Sequence, residues 1–194
     1  FASHVMTRAD TVLALPAGID PVQAATIPVI FVTADYALNE LARVEQREWV
    51  LIHGGAGGVG LAAIQIAKLA GAQIIATAGS SQKRRLLKTL GAHEVFDSRS
   101  LHFVSDVRRV TEGRGVDVVI NSLADEAMEQ SLSCLAPFGR FVELGKRDFV
   151  ANTAIGLRAL KDNISYFGVD ADQLLSSHRA SCSVFCRDSR MRTT

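Results

Sequence analysis

Gly55, Gly57 and Gly60 stand in a G-x-G-x-x-G spacing within His53-Gly54-Gly55-Ala56-Gly57-Gly58-Val59-Gly60. The run follows an apolar stretch, Trp49–His53, and leads into Leu61, Ile64 and Leu69 at helical spacing. A strand that turns sharply into a helix over a phosphate needs this pattern. Gly55 permits the tight turn, Gly57 lets a pyrophosphate approach the backbone, and Gly60 lets the helix pack close to the strand. The first helical N–H groups, those of Gly58 and Val59 included, and the positive end of the helix dipole then face the phosphates. The chemistry on offer is dinucleotide binding.

The end of the second apolar run selects the nucleotide. An NAD site places Asp or Glu roughly 20 residues past the glycines, on the ribose hydroxyls. This chain has no Asp or Glu between Glu48 and Glu94. It offers Ser80, Lys83 and Arg84 instead. Those donors suit the extra dianion of a 2′-phosphate, so the expected cofactor is NADPH. Arg85 and Lys88 are expected on the solvated face of the same helix. His53 reads as a packed, hydrogen-bonded ring, and Cys134 as a core residue. Cys182 and Cys186 have no matching Cys or His pair, and His4, His93 and His102 are scattered, so no metal site is expected. No G-x-S-x-G occurs, so there is no hydrolase signal.

Positioning these residues takes a core, and the chain can build one. Its 194 residues, 48% hydrophobic and 21% charged, exclude a disordered chain. A net charge of +1 gives no reason to expect nucleic acid, and no uncharged apolar run of 18 residues suggests a membrane span. Three cysteines suit a reducing, cytoplasmic setting. Apolar runs at 49–53, 73–77, 93–96, 116–121, 140–144 and 164–169 alternate with helical stretches at 59–70, 81–90, 102–111, 125–136 and 153–161. Most of these strands are apolar throughout, as strands buried on both faces are. This predicts an α/β fold: a doubly wound parallel six-stranded sheet of order 3-2-1-4-5-6.

Residues 1–35 differ in kind. Phe1–Thr7 and Thr11–Leu15 read as short strands, Asp20-Pro21 opens a helical turn, and Pro28 interrupts it before a helix resumes over Val32–Ala42. This segment reads as the remnant of a second, mostly β substrate domain with its connection. Residues 36–175 read as the nucleotide-binding domain, and 176–194 as an irregular, disordered tail that carries a net charge of +3. With no Met at position 1, the chain reads as a piece of a longer one.

Five stretches carry a family resemblance. Pro28-Val29-Ile30-Phe31-Val32-Thr33-Ala34-Asp35-Tyr36-Ala37-Leu38 and Val50-Leu51-Ile52-His53 with its glycine loop resemble the medium-chain dehydrogenase/reductases. Gly115-Val116-Asp117-Val118-Val119-Ile120-Asn121-Ser122-Leu123-Ala124 and Gly139-Arg140-Phe141-Val142-Glu143-Leu144-Gly145-Lys146-Arg147-Asp148 resemble the enoyl reductase domains of type I polyketide synthases and animal fatty acid synthases, as does Phe96-Asp97-Ser98-Arg99. The resemblance spans about residues 1–175.

It implies a GroES-like substrate domain of which 1–35 is the end, and a zinc-free, NADPH-dependent reduction of a trans-2-enoyl thioester on an acyl carrier protein. Hydride goes to the β-carbon and a proton to the α-carbon. Lys146 and Asp172 match the family's considered proton donors, with Asp170 an open alternative to Asp172. Thr33 would meet the nicotinamide carboxamide, Asn121 its ribose, Leu144 and Gly145 its ring, and Arg99 the adenine side. The implied partners are the carrier-bound thioester, the other domains of the parent synthase and a second copy of the chain, joined through an uncharged edge strand at 164–169. The fragment alone is expected to be inactive. Two readings stay open beside this one: part of a stand-alone NADPH-dependent quinone oxidoreductase, and a nucleotide-binding module without turnover.

Overall fold

A computed structural model describes residues 3–7, 12, 14, 15 and 17–177 of the chain. The apolar runs form one six-stranded sheet: β1 (Trp49–Ile52), β2 (Gln73–Thr77), β3 (Glu94–Phe96), β4 (Val116–Asn121), β5 (Leu135–Glu143) and β6 (Ser165–Gly168). All pairings are parallel and the order is β3-β2-β1-β4-β5-β6, as the pattern of runs predicts. The connecting helices are α3 (Gly58–Leu69), α4 (Ser81–Thr89), α5 (Phe103–Val110), α6 (Glu126–Leu132), α7 (Arg147–Ala151) and α8 (Ala171–Ser177). Ahead of the sheet lie α1 (Pro21–Ala25), α2 (Pro28–Asp35) and a π-helical segment, Tyr36–Leu41. No helix among the described residues is long and apolar enough to cross a membrane.

The period of two in the strands builds two cores. Val50, Ile52, Ile74, Ala76, Val118 and Ile120 face one side, where Ala62, Ala63, Ile64 and Ala67 of α3 and Leu38 cover them. Leu51, Ile75, Val119 and Phe141 face the other, under Phe103 and Val107 of α5 and Met128 and Leu132 of α6. Each buried Val, Leu, Ile, Phe or Met among them contributes about 1.5–3 kcal/mol. The alanines of α3 matter as much as the large residues, because small side chains let the helix axis lie close to the sheet.

Parallel register decides what meets at the working edge. Ile52 pairs with Ala76 and Ile120, Asn121 with Glu143, and Glu143 with Gly168. The segments that leave β1, β2, β4, β5 and β6 therefore emerge side by side, at the carboxyl ends where folds of this type bind ligands.

Four expectations need correction. Residues 3–7, 12, 14 and 15 form no strand, since a lone strand has no neighbour to take its hydrogen bonds. Pro28 starts α2 rather than interrupting a helix; at the first helical position its missing N–H costs nothing. The helix expected over 125–136 stops at Leu132, and β5 begins at Leu135 with a register shift opposite Val116 and Val118. No helix spans 153–161. Asn152, in the left-handed region at φ 53°, ends α7, and only a 3-10 turn, Leu157–Leu160, follows. The expected tail lies outside the described residues from position 178 onward.

Phe141 is fully buried and stacks on Tyr166 at 5.2 Å between ring centroids, whereas Phe138 is 70% exposed. Phe141→Ala is expected to cost about 3–5 kcal/mol. Phe138→Ala is expected to stay within about 0.5 kcal/mol of the parent. Urea unfolding of the two variants checks the contrast.

Candidate functional site

The turn behind β1 is held by its own backbone. Gly54 takes φ +60°, the Gly57 N–H donates to the Gly54 carbonyl at 2.8 Å, and the Gly55 N–H donates to the Thr77 carbonyl at 3.0 Å. A Cβ on Gly60 would lie 2.5 Å from the Gly54 oxygen and 2.6 Å from the Gly55 Cα. Helix and turn therefore touch backbone to backbone, and no side chain fits between them. Gly57 is the N-cap of α3 and supplies no side-chain cap, and Gly57 and Gly58 are exposed. The N–H groups of Gly58, Val59 and Gly60 thus begin the helix with no partner from a capping side chain, which is how an anion-accepting helix start is made. A Cβ on Gly58 would come within 3.0 Å of Ile30 in α2, so α2 lies directly against the turn.

At the end of β2 the basic residues are not equivalent. Ser80 caps α4 and accepts from the Lys83 N–H at 3.3 Å. Lys83 is exposed and has no side-chain partner among the described residues. Arg84 is committed: its guanidinium donates to the Ala78 carbonyl at 3.0 Å and pairs with Asp97 at 3.0 Å. The Arg99 N–H bonded to Asp97, with Arg84 beside it, holds that carboxyl below its ordinary range. The Arg99 side chain lies over Gly79, where an added Cβ would meet Nε at 2.9 Å. Ser80, Lys83 and Arg99 thus border one loop, with Arg84 as its anchored floor. Lys88 turns away to Glu94 at 3.1 Å, and Arg85 is exposed, as a solvated face requires.

The opposite end of the edge carries the acids. Lys146 Nζ sits 2.8 Å from both Asp170 Oδ1 and Asp172 Oδ2. The two carboxylates raise the lysine pKa, and Lys146 in turn lowers that of Asp170. Both aspartates therefore share the lysine. Thr33 is buried in α2 and its hydroxyl donates to the Val29 carbonyl at 2.7 Å, which leaves its oxygen able to accept. Asn121 is fully buried. Its amide donates to the Leu123 carbonyl at 2.8 Å and to Glu143 Oε2 at 2.5 Å, and its Oδ1 accepts from the Leu123 N–H at 3.2 Å. Leu144 donates to the Asn121 carbonyl at 2.9 Å, and Gly145 donates to Glu143 Oε1 at 2.6 Å.

Comparison with known proteins gives this edge a context. Residues 58–178 match the family described as zinc-binding dehydrogenase. The chain is 43% identical to the nucleotide-binding subdomain of the enoylreductase domain of PpsC from Mycobacterium tuberculosis, with a TM-score of 0.77 over 84% of this chain and 93% of that one. The chain belongs to the zinc-binding dehydrogenase family. Within it, the chain is an enoyl reductase nucleotide-binding subdomain of the polyketide synthase type. It is also similar to the CurK enoyl reductase, at 39% identity and a TM-score of 0.86 over 96% of this chain and 55% of that one. The phthioceranic/hydroxyphthioceranic acid synthase of Mycobacterium tuberculosis is 49% identical over 84% of this chain. This subdomain spans only 8% of that synthase's length. The family's name carries a metal, but among the described residues no group of three His, Cys, Asp or Glu could hold one.

Two residues of this enoyl reductase subdomain escape a reading by motif. Asp97 engages the cation expected to meet the nucleotide. Glu143, one acid in an apolar strand, lies 1% exposed and joins Asn121 to Gly145. Its position in the middle of the G-R-F-V-E-L-G-K run was the available signal. Burial pushes its pKa up to about 7. Cys134 is buried as expected, its thiol pushed up to about 12 by the same cause.

His53 is a structural ring. The Ser131 hydroxyl donates to the Ala127 carbonyl at 2.6 Å, so it accepts from His53 Nε2 at 2.9 Å. His53 Nδ1 then accepts from the Thr77 hydroxyl at 3.0 Å. Burial lowers its pKa to about 3. The unfolded chain, with a histidine near pH 6.5, takes the proton first, so this contribution is full above about pH 6.5 and falls with pH at about 1.4 kcal/mol per unit. His53→Gln, which cannot charge, is expected to remove that slope. Urea unfolding of both proteins between pH 4 and 8 reads the difference.

Proposed function

We propose that this subdomain holds the NADPH of an enoyl reductase domain that reduces trans-2-enoyl thioesters on an acyl carrier protein. The observation that carries the reading is one sheet edge with an uncapped, exposed helix start behind a glycine turn at one end and a lysine held by two aspartates at the other. The Asn121–Glu143–Gly145 contacts, at the ends of β4 and β5, lie between these features. The chain's residues suit a dinucleotide: the cradle at Gly57 and Gly58 is open where side chains would crowd it, and the second-strand loop carries cations and no free acid.

The bound nicotinamide supplies hydride to the thioester's β-carbon. The chain's residues do the rest. Gly58, Val59 and Gly60 offer N–H groups to the pyrophosphate. Ser80, Lys83 and Arg99 face the 2′-phosphate, and Arg84, spent on Asp97, fixes the loop they stand on. Thr33 accepts from the carboxamide. Leu144 and Gly145 form a flat wall behind the ring, and Asn121 keeps that wall in place. Lys146 holds a proton at Nζ for the α-carbon, and Asp170 and Asp172 keep the ammonium charged and aimed. Proton and hydride must be delivered to a clamped substrate, which is work for a substrate domain ahead of residue 36; by itself this chain binds without turning over.

The subdomain is also proposed to pair with a second copy. β6 is an edge strand, Ser-Tyr-Phe-Gly, with no charge or proline to blunt it. A twofold antiparallel contact would close at two subunits. Sedimentation at tens of micromolar is expected to show a dimer, and a monomer there overturns it.

Cofactor choice is the direct test of the reading. NADPH is expected to bind the chain at least tenfold more tightly than NADH by fluorescence titration. Lys83→Ala is expected to weaken NADPH by about fivefold, the worth of one exposed charge-assisted contact, and to leave NADH unchanged. Equal affinity for the two cofactors contradicts the assignment.

A further inference from the structure

Glu143 is a carboxylate in the wrong place for a surface and the right place for a clamp. It ends β5, faces the α5–α6 side of the sheet with Phe141, and is 1% exposed. Each of its oxygens has one donor. Oε2 takes the Asn121 amide at 2.5 Å and Oε1 takes the Gly145 N–H at 2.6 Å. Asn121 and Glu143 are partners in the parallel register, so the contact joins adjacent strand ends. A Cβ on Gly145 would stand 2.8 Å from Oε1, so the peptide approaches the carboxylate as closely as a glycine allows. The next residue is Lys146.

We propose that Glu143 is a positioning residue: its ionised carboxylate holds the Leu144-Gly145-Lys146 segment and Asn121 in one arrangement, and taking up a proton loosens that segment. The proposal rests on reading this segment as the wall of the nicotinamide site. Both partners are donors, so only the ionised form satisfies both oxygens fully. A proton on Oε1 or Oε2 sets an O–H against the N–H from which that oxygen accepts.

The groups facing Glu143 set where that proton comes on. Burial is the largest influence and raises the pKa. Asp148 of α7, itself buried and accepting from Thr153 at 2.8 Å, adds a like charge that raises it further. Asn121 of β4 and the N–H groups of Gly145 and Leu144 pull it down. Tyr166 of β6 stands on the same side; burial, Glu143 and Asp148 push its phenol up to about 12, so it stays neutral. Lys146 is turned to Asp170 and Asp172. The balance brings Glu143 to about 7, inside the range a cell can reach.

The test begins with the whole chain, without cofactor. Nuclear magnetic resonance of protein labelled at the glutamate carboxyl carbons and backbone amides follows Glu143 and Gly145 from pH 5 to pH 9. The two signals are expected to titrate together, with one midpoint near pH 7. A Glu143 midpoint in the ordinary range of about 4–5, or a Gly145 amide that does not move with it, overturns the proposal. A second arm measures NADPH dissociation constants at pH 5.5 and 8.5. The 2′-phosphate itself titrates near pH 6, so Glu143→Gln supplies the baseline. The parent is expected to weaken at low pH by about fivefold more than the variant, a modest coupling between two sites. Identical pH dependence in the two proteins counts against the proposal. Should Glu143→Gln fail to fold, the first arm decides, since it needs no variant. Should the chain bind no nicotinamide nucleotide at any pH, the functional reading fails, and the first arm still decides whether Glu143 holds the segment.

Discussion

A backbone contact at the foot of α3 governs the working edge. The Gly54 oxygen occupies, to within 2.5 Å, the place where residue 60 would carry a Cβ. Helix and turn can meet there only because position 60 has no side chain, and the alanines at 62, 63 and 67 let the rest of the helix follow onto the sheet. Because α3 comes so close, its exposed N-terminus follows directly on the end of β1. Because the turn is so tight, the Gly55 N–H reaches the Thr77 carbonyl and ties the end of β2 to the start of α3. A larger residue at 60 would move the helix, the turn and the second-strand loop together.

The same edge shows how charge is used for geometry. The ion pairs there are mostly exposed, and such pairs are worth about 0–1 kcal/mol. Lys146, half exposed, gains little stability from Asp170 and Asp172, but two carboxylates at 2.8 Å leave its long side chain few other directions. Asp97 does the same for Arg84. Two titratable groups that leave water behind, His53 and Glu143, are treated differently. His53 stays neutral within a directed chain of hydroxyl and carbonyl partners. Glu143 keeps two donors and a pKa near 7.

The sheet was legible because strands buried on both faces are apolar along most of their length, so β1, β2 and β4 stand out as apolar runs. The glycine turn was legible for a similar reason: glycine is the one residue its contacts admit. Local pattern failed where the determinant was elsewhere. Residues 153–161 have helical composition, but Asn152 closes α7 in a left-handed turn, and no short-range period reports that. The first residues look strand-like, yet a strand exists only beside another. In the candidate site, Lys83 and Lys146 stand out in the sequence as cations that follow a strand. Asp97 and Glu143 could not, because their roles come from register. Thr77 lies beside Phe96, which brings Asp97 to Arg84, and Asn121 lies beside Glu143. Neither pairing is written in the spacing of residues along the chain.

The strand order also bears on how the chain is made. β1 pairs with β2 on one side and with β4 on the other. During synthesis β1, β2 and β3 leave the ribosome first and can assemble as a three-stranded sheet under α3 and α4. The far side of β1 must wait for β4, roughly sixty residues later, which at about 5–20 residues per second is ~3–12 s. For that interval Val50, Leu51 and Ile52 present an open, wholly apolar strand with unpaired N–H and C=O groups. A strand at the centre of the finished sheet is thus an open edge in the half-made chain, and β4 is the segment whose arrival ends its vulnerability to pairing with a neighbouring nascent chain.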